Sequence, residues 1–364
     1  MKIAYVTSFF PPDRVAGAEL ATRFMARTMA GLGHEVHVVV TRPAGNRFDR
    51  TQQEGYTVHR LPCLDIKGLR LASEIRRALR LLEDLRPDLI HGNCLLPGGY
   101  VAARVGTRLS VPSVILCFGY DVSDMSALLG RFHGVPALRE AHLLLAATRY
   151  AAGKMAEWLP SRPARVFYAG CDEKSFPLLP PRRPAPPYRL LFVGRLIPEK
   201  GLDLLLDILA RLPAEYSLEI VGLGPLEGWL HAEVARRGLA GRVTLTGPLP
   251  NESLSERFAN ADALILPSRR EPFGVVCIEA VCSGVPVLCG KVMGLPEAVS
   301  DGRNGLVLEG RDAGQWAEAV KRLVSDTALR ERLYAAARED RHRWAWSTRL
   351  AELAGLYREL GVAV

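Results

Sequence analysis

Short apolar runs of four to six residues recur along the chain, and longer stretches with apolar positions every three or four residues separate them. Runs of the first kind suit buried strands, and stretches of the second kind suit amphipathic helices. In the first half this pattern predicts strands over residues 2–7, 35–41, 89–92 and 113–117. It predicts helices over 19–30, 69–85 and 98–108, the first of them closed by Gly31 and Gly33. Residues 177–187 hold six prolines, which cannot continue a helix or a central strand. The rhythm then restarts, with strands expected over 189–193, 217–221, 243–246, 263–266 and 287–288. Helices are expected over 201–211, 226–237, 253–260 and 275–282, and the Arg-rich tail from 312 to 360 reads as mostly helical. Alternating strands and helices imply an α/β fold with a parallel, doubly wound, Rossmann-like sheet in each half. The expected organisation is a first domain over 1–176, a Pro-rich linker over 177–187 and a second domain over 188–340. Two such domains leave a central cleft facing the carboxyl ends of both sheets, where open α/β folds bind ligands.

With 364 residues, 48% hydrophobic and 24% charged, the chain has the composition of a globular protein and the length for two cores. The most apolar stretch, 273–290, is broken by Glu279, Ser283, Gly284 and Pro286, so no transmembrane helix is expected. The opening MKIAYVTSFFPP has no small-residue cleavage site, which points to a cytoplasmic chain. Cys63, Cys94, Cys117, Cys171, Cys277, Cys282 and Cys289 make an odd count without a CxxC pair or a metal-spaced His, so neither a disulfide framework nor a metal site is expected. His34, His37, His91 and His142 sit in or beside apolar segments and read as packed side chains. Charge is uneven. Residues 1–176 carry 23 Lys and Arg against 16 Asp and Glu, whereas residues 177–364 carry 24 against 23. No nucleic-acid motif accompanies the basic half, so nucleic acid is not an expected partner. Within it, Lys67–Arg86 places Leu69, Leu71, Ile75, Leu79 and Leu82 at roughly helical spacing among Arg70, Arg76, Arg77 and Arg80. Such a helix either lies on an anionic membrane surface or faces the core with its arginines in water.

Three segments carry candidate chemistry. In REPFGVVCIEA, Glu271 follows a strand, Gly274-Val275 opens a helix and Glu279 lies just over one turn inside it. Free N–H groups at a helix start form an anion site, and two carboxylates eight apart can flank a polyhydroxylated ligand. In FVGRLIPEKG, Arg195 and Lys200 occupy the first strand–helix turn of the second half, a forked donor and a point charge suited to a diphosphate. In PPDRVAGAEL, Gly17 opens the first helix and lets a phosphate approach its N-terminus. Gly222-Leu223-Gly224-Pro225 is a weaker signal that lacks the spacing of a dinucleotide fingerprint.

Together these segments resemble glycosyltransferase family 4, retaining group 1 glycosyltransferases of the GT-B fold, along nearly the whole chain. Supporting matches are PDLIHGN from Pro87, FYAGCDEKSF from Phe167, LTGPLPNESLSERFANADALILPS from Leu245, Gly294-Leu295-Pro296-Glu297 and Asp301-Gly302-Arg303-Asn304-Gly305. The resemblance implies a hexosyl donor of the NDP-sugar type, with a UDP-sugar favoured and GDP-mannose second, and a hydroxyl acceptor on a glycan, a lipid-linked or a small molecule. It implies that Arg195 and Lys200 stabilise the leaving diphosphate and that Glu271 holds the sugar and positive charge at the anomeric carbon. Glu279 would bind the ribose, while backbone around Gly274, Val275 and Val276 contacts sugar or phosphate. Gly17 would touch phosphate, and the base would lie near Leu249. No cofactor or divalent metal is implied, and the chain has no DxD pair. The C-terminal helices, 341–364, would pack back on the first domain.

The chain departs from the family where Phe118-Gly119-Tyr120-Asp121 replaces the common His-Gly-x-Asp of the sugar pocket. Phe118 cannot hydrogen-bond a hydroxyl or shuttle a proton, so either the sugar is held differently, or Asp121 and its neighbours compensate, or turnover is poor. Ala16-Gly17 replaces Gly-Gly, Tyr168-Ala169-Gly170 replaces Pro-Asn-Gly, and Asn93 stands where a second His is common. The alternative reading is a non-catalytic partner of another glycosyltransferase that binds a nucleotide sugar.

Overall fold

A computed structural model describes residues 1–43, 48–64, 66, 69–250 and 253–362. Lys67 and Gly68, at the start of the basic stretch, and Asn251 and Glu252, within the segment from Leu245, lie outside the described residues. The chain folds as two compact units, Met1–Ala169 with the C-terminal segment from Ser347, and Gly170–Trp346. The division therefore falls ahead of the Pro-rich stretch. Residues 177–187 belong to the second unit, where Leu179 N donates to Ser283 O and Tyr334 Oη donates to Leu179 O.

The first unit runs β1 (Lys2–Thr7), α1 (Gly17–Gly31), β2 (Glu35–Val40), β3 (Asp49–Gln53), β4 (Tyr56–Arg60), α2 (Arg70–Leu85), β5 (Leu89–Asn93), α3 (Tyr100–Leu109) and β6 (Ser113–Cys117). It continues through α4 (Tyr120–Ser123), α5 (Ala127–Leu129), α6 (Val135–Glu140), β7 (Leu143–Ala146), α7 (Arg149–Trp158) and β8 (Arg165–Val166). Its sheet has the order β3-β4-β2-β1-β5-β6-β7-β8, with every neighbouring pair parallel except β3 and β4. The antiparallel hairpin at the edge extends an otherwise parallel, doubly wound sheet. Glu54 and Gly55, both at positive φ, make the tight turn that joins the two strands. Strands β1, β5 and β6 are buried along nearly their whole length because helices cover both faces, which is why they read as continuous apolar runs.

The second unit runs β9 (Tyr188–Val193), α8 (Leu202–Arg211), β10 (Tyr216–Val221), α9 (Glu227–Arg236), β11 (Val243–Gly247), α10 (Leu254–Asn260), β12 (Ala263–Leu266), α11 (Val275–Cys282) and β13 (Val287–Gly290). There follow α12 (Leu295–Ala298), β14 (Leu306–Leu308), α13 (Ala313–Ser325) and α14 (Thr327–Trp344). Its sheet is wholly parallel, in the order β11-β10-β9-β12-β13-β14. The last helix, α15 (Trp346–Glu359), carries the chain from the second unit into the first. There Tyr357 Oη shares a 2.6 Å hydrogen bond with His91 Nδ1 and lies 3.3 Å from Tyr5 Oη, all three side chains fully buried. Trp344 and Trp346 stay in the second unit. The Trp346 ring occupies the space a Cβ on Gly170 would need, which gives the glycine of Tyr168-Ala169-Gly170 its packing reason.

His37 and His91 are buried as packed side chains, whereas His34 is half-buried and His142 exposed with its Nδ1 bonded to Ser113. No helix among the described residues is long and apolar enough to cross a membrane.

Candidate functional site

The carboxyl ends of parallel strands gather the predicted residues of the second unit. Strand β9 leads through a single 3-10 turn, Pro198–Lys200, into α8, and β12 leads through 267–274 into α11. Two backbone contacts join these loops. Arg269 N and Arg270 N donate to Glu199 O at 2.7 and 3.3 Å. At Gly201, where φ is +69°, a Cβ would overlap the Pro267 carbonyl oxygen. Only glycine fits there, and the joined loops bring Lys200 to Glu271.

Lys200 Nζ donates to Glu271 Oε2 in an ion pair whose two side chains are each only 12% exposed. Glu271 is further fixed through its carbonyl, which accepts from Gly294 N at 3.3 Å. Next along the chain, Gly274 has φ +79°, and a Cβ there would run into Leu295. Past it α11 begins with no side-chain cap, and its first turn closes with Cys277 N on Gly274 O. Among the described residues, the N–H groups of Val275 and Val276 have no recorded acceptor, as expected at a helix start. Glu279 is buried one turn further in. The start of α11 therefore offers backbone donors beside a cation–carboxylate pair.

Arg195 sits in the loop after β9, exposed, with no side-chain partner among the described residues. Leu249 is half-buried in the loop after β11, an edge strand of the same sheet two places from β9. Asp203 pairs with Arg269 and Arg311, bracing the β12 loop from α8, a role its sequence context does not announce. Trp344 packs its ring 5.9 Å from that of Phe273, supporting the turn into α11 from behind. Cys277 lies against this turn, and its thiol is pushed well up by a hydrogen bond with Cys289 and by burial, so it stays protonated. No group of three or more His, Cys, Asp or Glu side chains able to hold a metal ion occurs among the described residues.

Gly17, Phe118 and Asp121 belong to the first unit. Gly17 is the first residue of α1, and the first backbone bond of that helix runs from Leu20 N to Ala16 O. Behind it, Asn93 Nδ2 donates to Thr22 Oγ1 at 2.7 Å, and Thr22 Oγ1 donates to Ala18 O at 2.9 Å, tying the end of β5 to the first turn of α1. Phe118 is half-buried after β6. Asp121 Oδ1 accepts from Phe118 N and Gly119 N at 2.9 and 2.8 Å, and Oδ2 accepts from Leu95 N at 2.8 Å. Burial raises its carboxyl, while these three N–H bonds favour the charged form. Both oxygens are thus occupied in clasping two loops, and Asp121 is not free to supply the hydrogen bond that Phe118 lacks.

Comparison with known proteins identifies the chain. A profile described as glycosyl transferases group 1 matches residues 180–340, and a glycosyl transferase 4-like domain matches residues 16–171. The chain belongs to the group 1 glycosyltransferases. An uncharacterized glycosyltransferase of Methanocaldococcus jannaschii is 24% identical, over 99% of both chains. Sucrose-phosphate synthase from Thermosynechococcus elongatus superposes with a TM-score of 0.84 at 22% identity, covering 100% of both chains. HepE of Anabaena, solved with UDP and glucose, gives a TM-score of 0.80 at 21% identity over 98% of this chain and 99% of that one. These likenesses place this glycosyltransferase among proteins of the GT-B fold.

Proposed function

We propose that this glycosyltransferase moves a hexosyl group from an NDP-sugar to a hydroxyl acceptor with retention and without a divalent metal. The observation that carries the reading is the Lys200–Glu271 pair beside the unpaired N–H groups of α11. As the bond between the anomeric carbon and the diphosphate oxygen breaks, charge builds on the leaving group, and fixed cations lower that barrier most. Arg195 and Lys200 supply them, with the N–H groups of Val275 and Val276 adding to the anion site at Gly274. Glu271 accepts from sugar hydroxyls and stabilises positive charge at the anomeric carbon, while Glu279 accepts from the ribose. The acceptor oxygen bonds to that carbon on the face the diphosphate leaves, and its proton passes to the departing phosphate oxygen. A UDP-sugar is favoured as donor, in line with the UDP and glucose held by the Anabaena neighbour, and GDP-mannose comes second. The acceptor, a glycan, a lipid-linked or a small molecule, is assigned to the first unit.

The test is NDP release from UDP-glucose and GDP-mannose in EDTA, with and without acceptor mixtures. Turnover that Glu271→Ala abolishes supports the reading. Tight nucleotide-sugar binding without turnover, indifferent to Glu271→Ala, replaces it with the non-catalytic alternative that Phe118 suggests.

An anionic membrane surface is the proposed partner of the first unit. Helix α2 turns Ala78 and Leu82 inward, while Arg76 and Arg80 line a groove of about 430 Å³ with Ile75, Leu79, Tyr100 and Arg108, the last already paired with Glu83 of the same groove. Cations over an apolar floor suit lipid phosphates above acyl chains. Sedimentation with anionic vesicles at low and high salt tests this, and binding that survives an Arg76→Glu/Arg80→Glu exchange refutes it.

A further inference from the structure

The loop between β10 and α9 contains the weakest of the sequence signals, Gly222-Leu223-Gly224-Pro225, and the structure gives it a distinct shape. It is locked to the β9 loop along its length. Gly194 N donates to Val221 O, Leu196 N to Leu223 O, and Leu226 N to Leu196 O, each at 3.0 Å. On the other side Gly222 N donates to Gly247 O at 2.9 Å. A Cβ on Gly222 would overlap Gly194 O, and one on Gly224 would overlap Leu196 O. The two glycines are thus explained by backbone passing over backbone, not by a phosphate.

The side chain between those glycines is a leucine, and it is 57% exposed. Isolated exposed leucines are ordinary on loosely held loops, but this backbone is pinned on both sides and holds the leucine outward. Its neighbours along the sheet edge are informative. In the order β11, β10, β9, β12 the carboxyl-end loops present Leu249, Leu223, then Arg195 and Lys200, then Glu271. Strands lie ~4.8 Å apart, so an apolar end, a cationic middle and a carboxylate end follow one another over roughly 14 Å. Arg195 lies between Gly194 and Leu196, the residues bonded to the Leu223 loop, so the exposed cation and the exposed leucine leave adjoining backbones.

We propose that Leu223 is the apolar surface on which the nucleobase of the donor packs, a binding residue for any donor nucleotide. The inference rests on the NDP-sugar reading above. Of the donor's parts, the base alone presents a broad face that gains by covering a leucine, since the sugar hydroxyls and phosphates need polar partners. Its position follows from charge order, because with the diphosphate on Arg195 and Lys200 and the sugar at Glu271, the base extends toward β10 and β11.

The test uses the full chain and measures dissociation constants of UDP, ADP, GDP and inorganic pyrophosphate for the native protein, Leu223→Ala and Leu223→Asp. Leu223→Asp should weaken every nucleoside diphosphate about 10-fold or more and Leu223→Ala a few-fold, from lost apolar cover. Pyrophosphate, which has no base, should be weakened by neither exchange, and the thermal midpoint of the free protein should hold because the side chain is exposed. Unchanged nucleotide affinity in both variants overturns the inference and leaves the donor reading standing. Equal weakening of pyrophosphate also overturns it, because the exchange would then act through Arg195. Absence of nucleoside diphosphate binding by the native protein overturns the donor reading, and the inference with it.

Discussion

Replacing Lys200 with Met separates the stability of the site from its chemistry. The Lys200 and Glu271 side chains are each 12% exposed, so Met keeps the apolar stem but leaves a nearly buried carboxylate without its cation. Breaking a buried pair by removing one partner costs about 3 kcal/mol or more. For a unit the size of Gly170–Trp346 that is a fall in thermal midpoint of roughly 6–12 °C. Adding Glu271→Gln removes the stranded charge, and the double variant should recover most of the loss, because a neutral amide is far less costly to bury. Activity should not recover. Loss of a preorganised cation at the leaving group costs about 10²–10³ in kcat, and the second exchange removes a sugar contact as well. Urea denaturation of the four proteins of the cycle, with NDP release measured on each, provides both readouts. A double variant no more stable than Lys200→Met refutes the buried-pair argument, and Lys200→Met within a few-fold of native kcat refutes the leaving-group role.

Three further outcomes follow from the geometry. Gly201→Ala places a methyl on the Pro267 oxygen at positive φ and should cost roughly 2 kcal/mol or more in urea denaturation, with donor affinity falling as the two loops part. His91 and His59 are held neutral by burial, their values lowered to about 3 and about 4, while the unfolded chain protonates them below about pH 6.5. Stability should therefore be full above that pH and decline as pH falls toward 4, by up to ~1.4 kcal/mol per unit for each, and His91→Phe should flatten the urea midpoint profile. Asp121→Asn substitutes an amide for one of two accepting oxygens and should lower stability by about 1–3 kcal/mol, with the Km for donor nearly unchanged if Asp121 only clasps the loops.

Where the fold was legible, one physical cause lies behind it. Strands such as Lys2–Thr7 and Ser113–Cys117 are covered on both faces, so burial writes an unbroken apolar run into the chain. Strand β3, Asp49-Arg50-Thr51-Gln52-Gln53, lies at the sheet edge with its residues exposed or half-buried, and its composition carries no such imprint. Strand β7 is an apolar run of four residues after Arg139, Glu140 and His142, too short for periodicity alone to tell from a helix, and β8 has only two residues. The six prolines mark where helix and strand cannot run, but contacts decide where units divide, and Leu179 ties that stretch to the second unit. The site behaves likewise. Arg195, Lys200, Glu271, Gly274 and Glu279 are visible because their spacing is local, whereas the demand for glycine at 201, 222 and 224 comes from carbonyls 28 to 66 residues away. Arg195 and Lys200 look equivalent in sequence and are not. Lys200 is already paired with Glu271, while Arg195 is exposed with no side-chain partner among the described residues. On the donor reading proposed above, an arriving diphosphate would meet Arg195 first and would gain Lys200 only by competing with a carboxylate that the sugar hydroxyls engage at the same moment. Diphosphate binding and sugar binding would then be coupled, and no spacing of residues along the chain could have announced it.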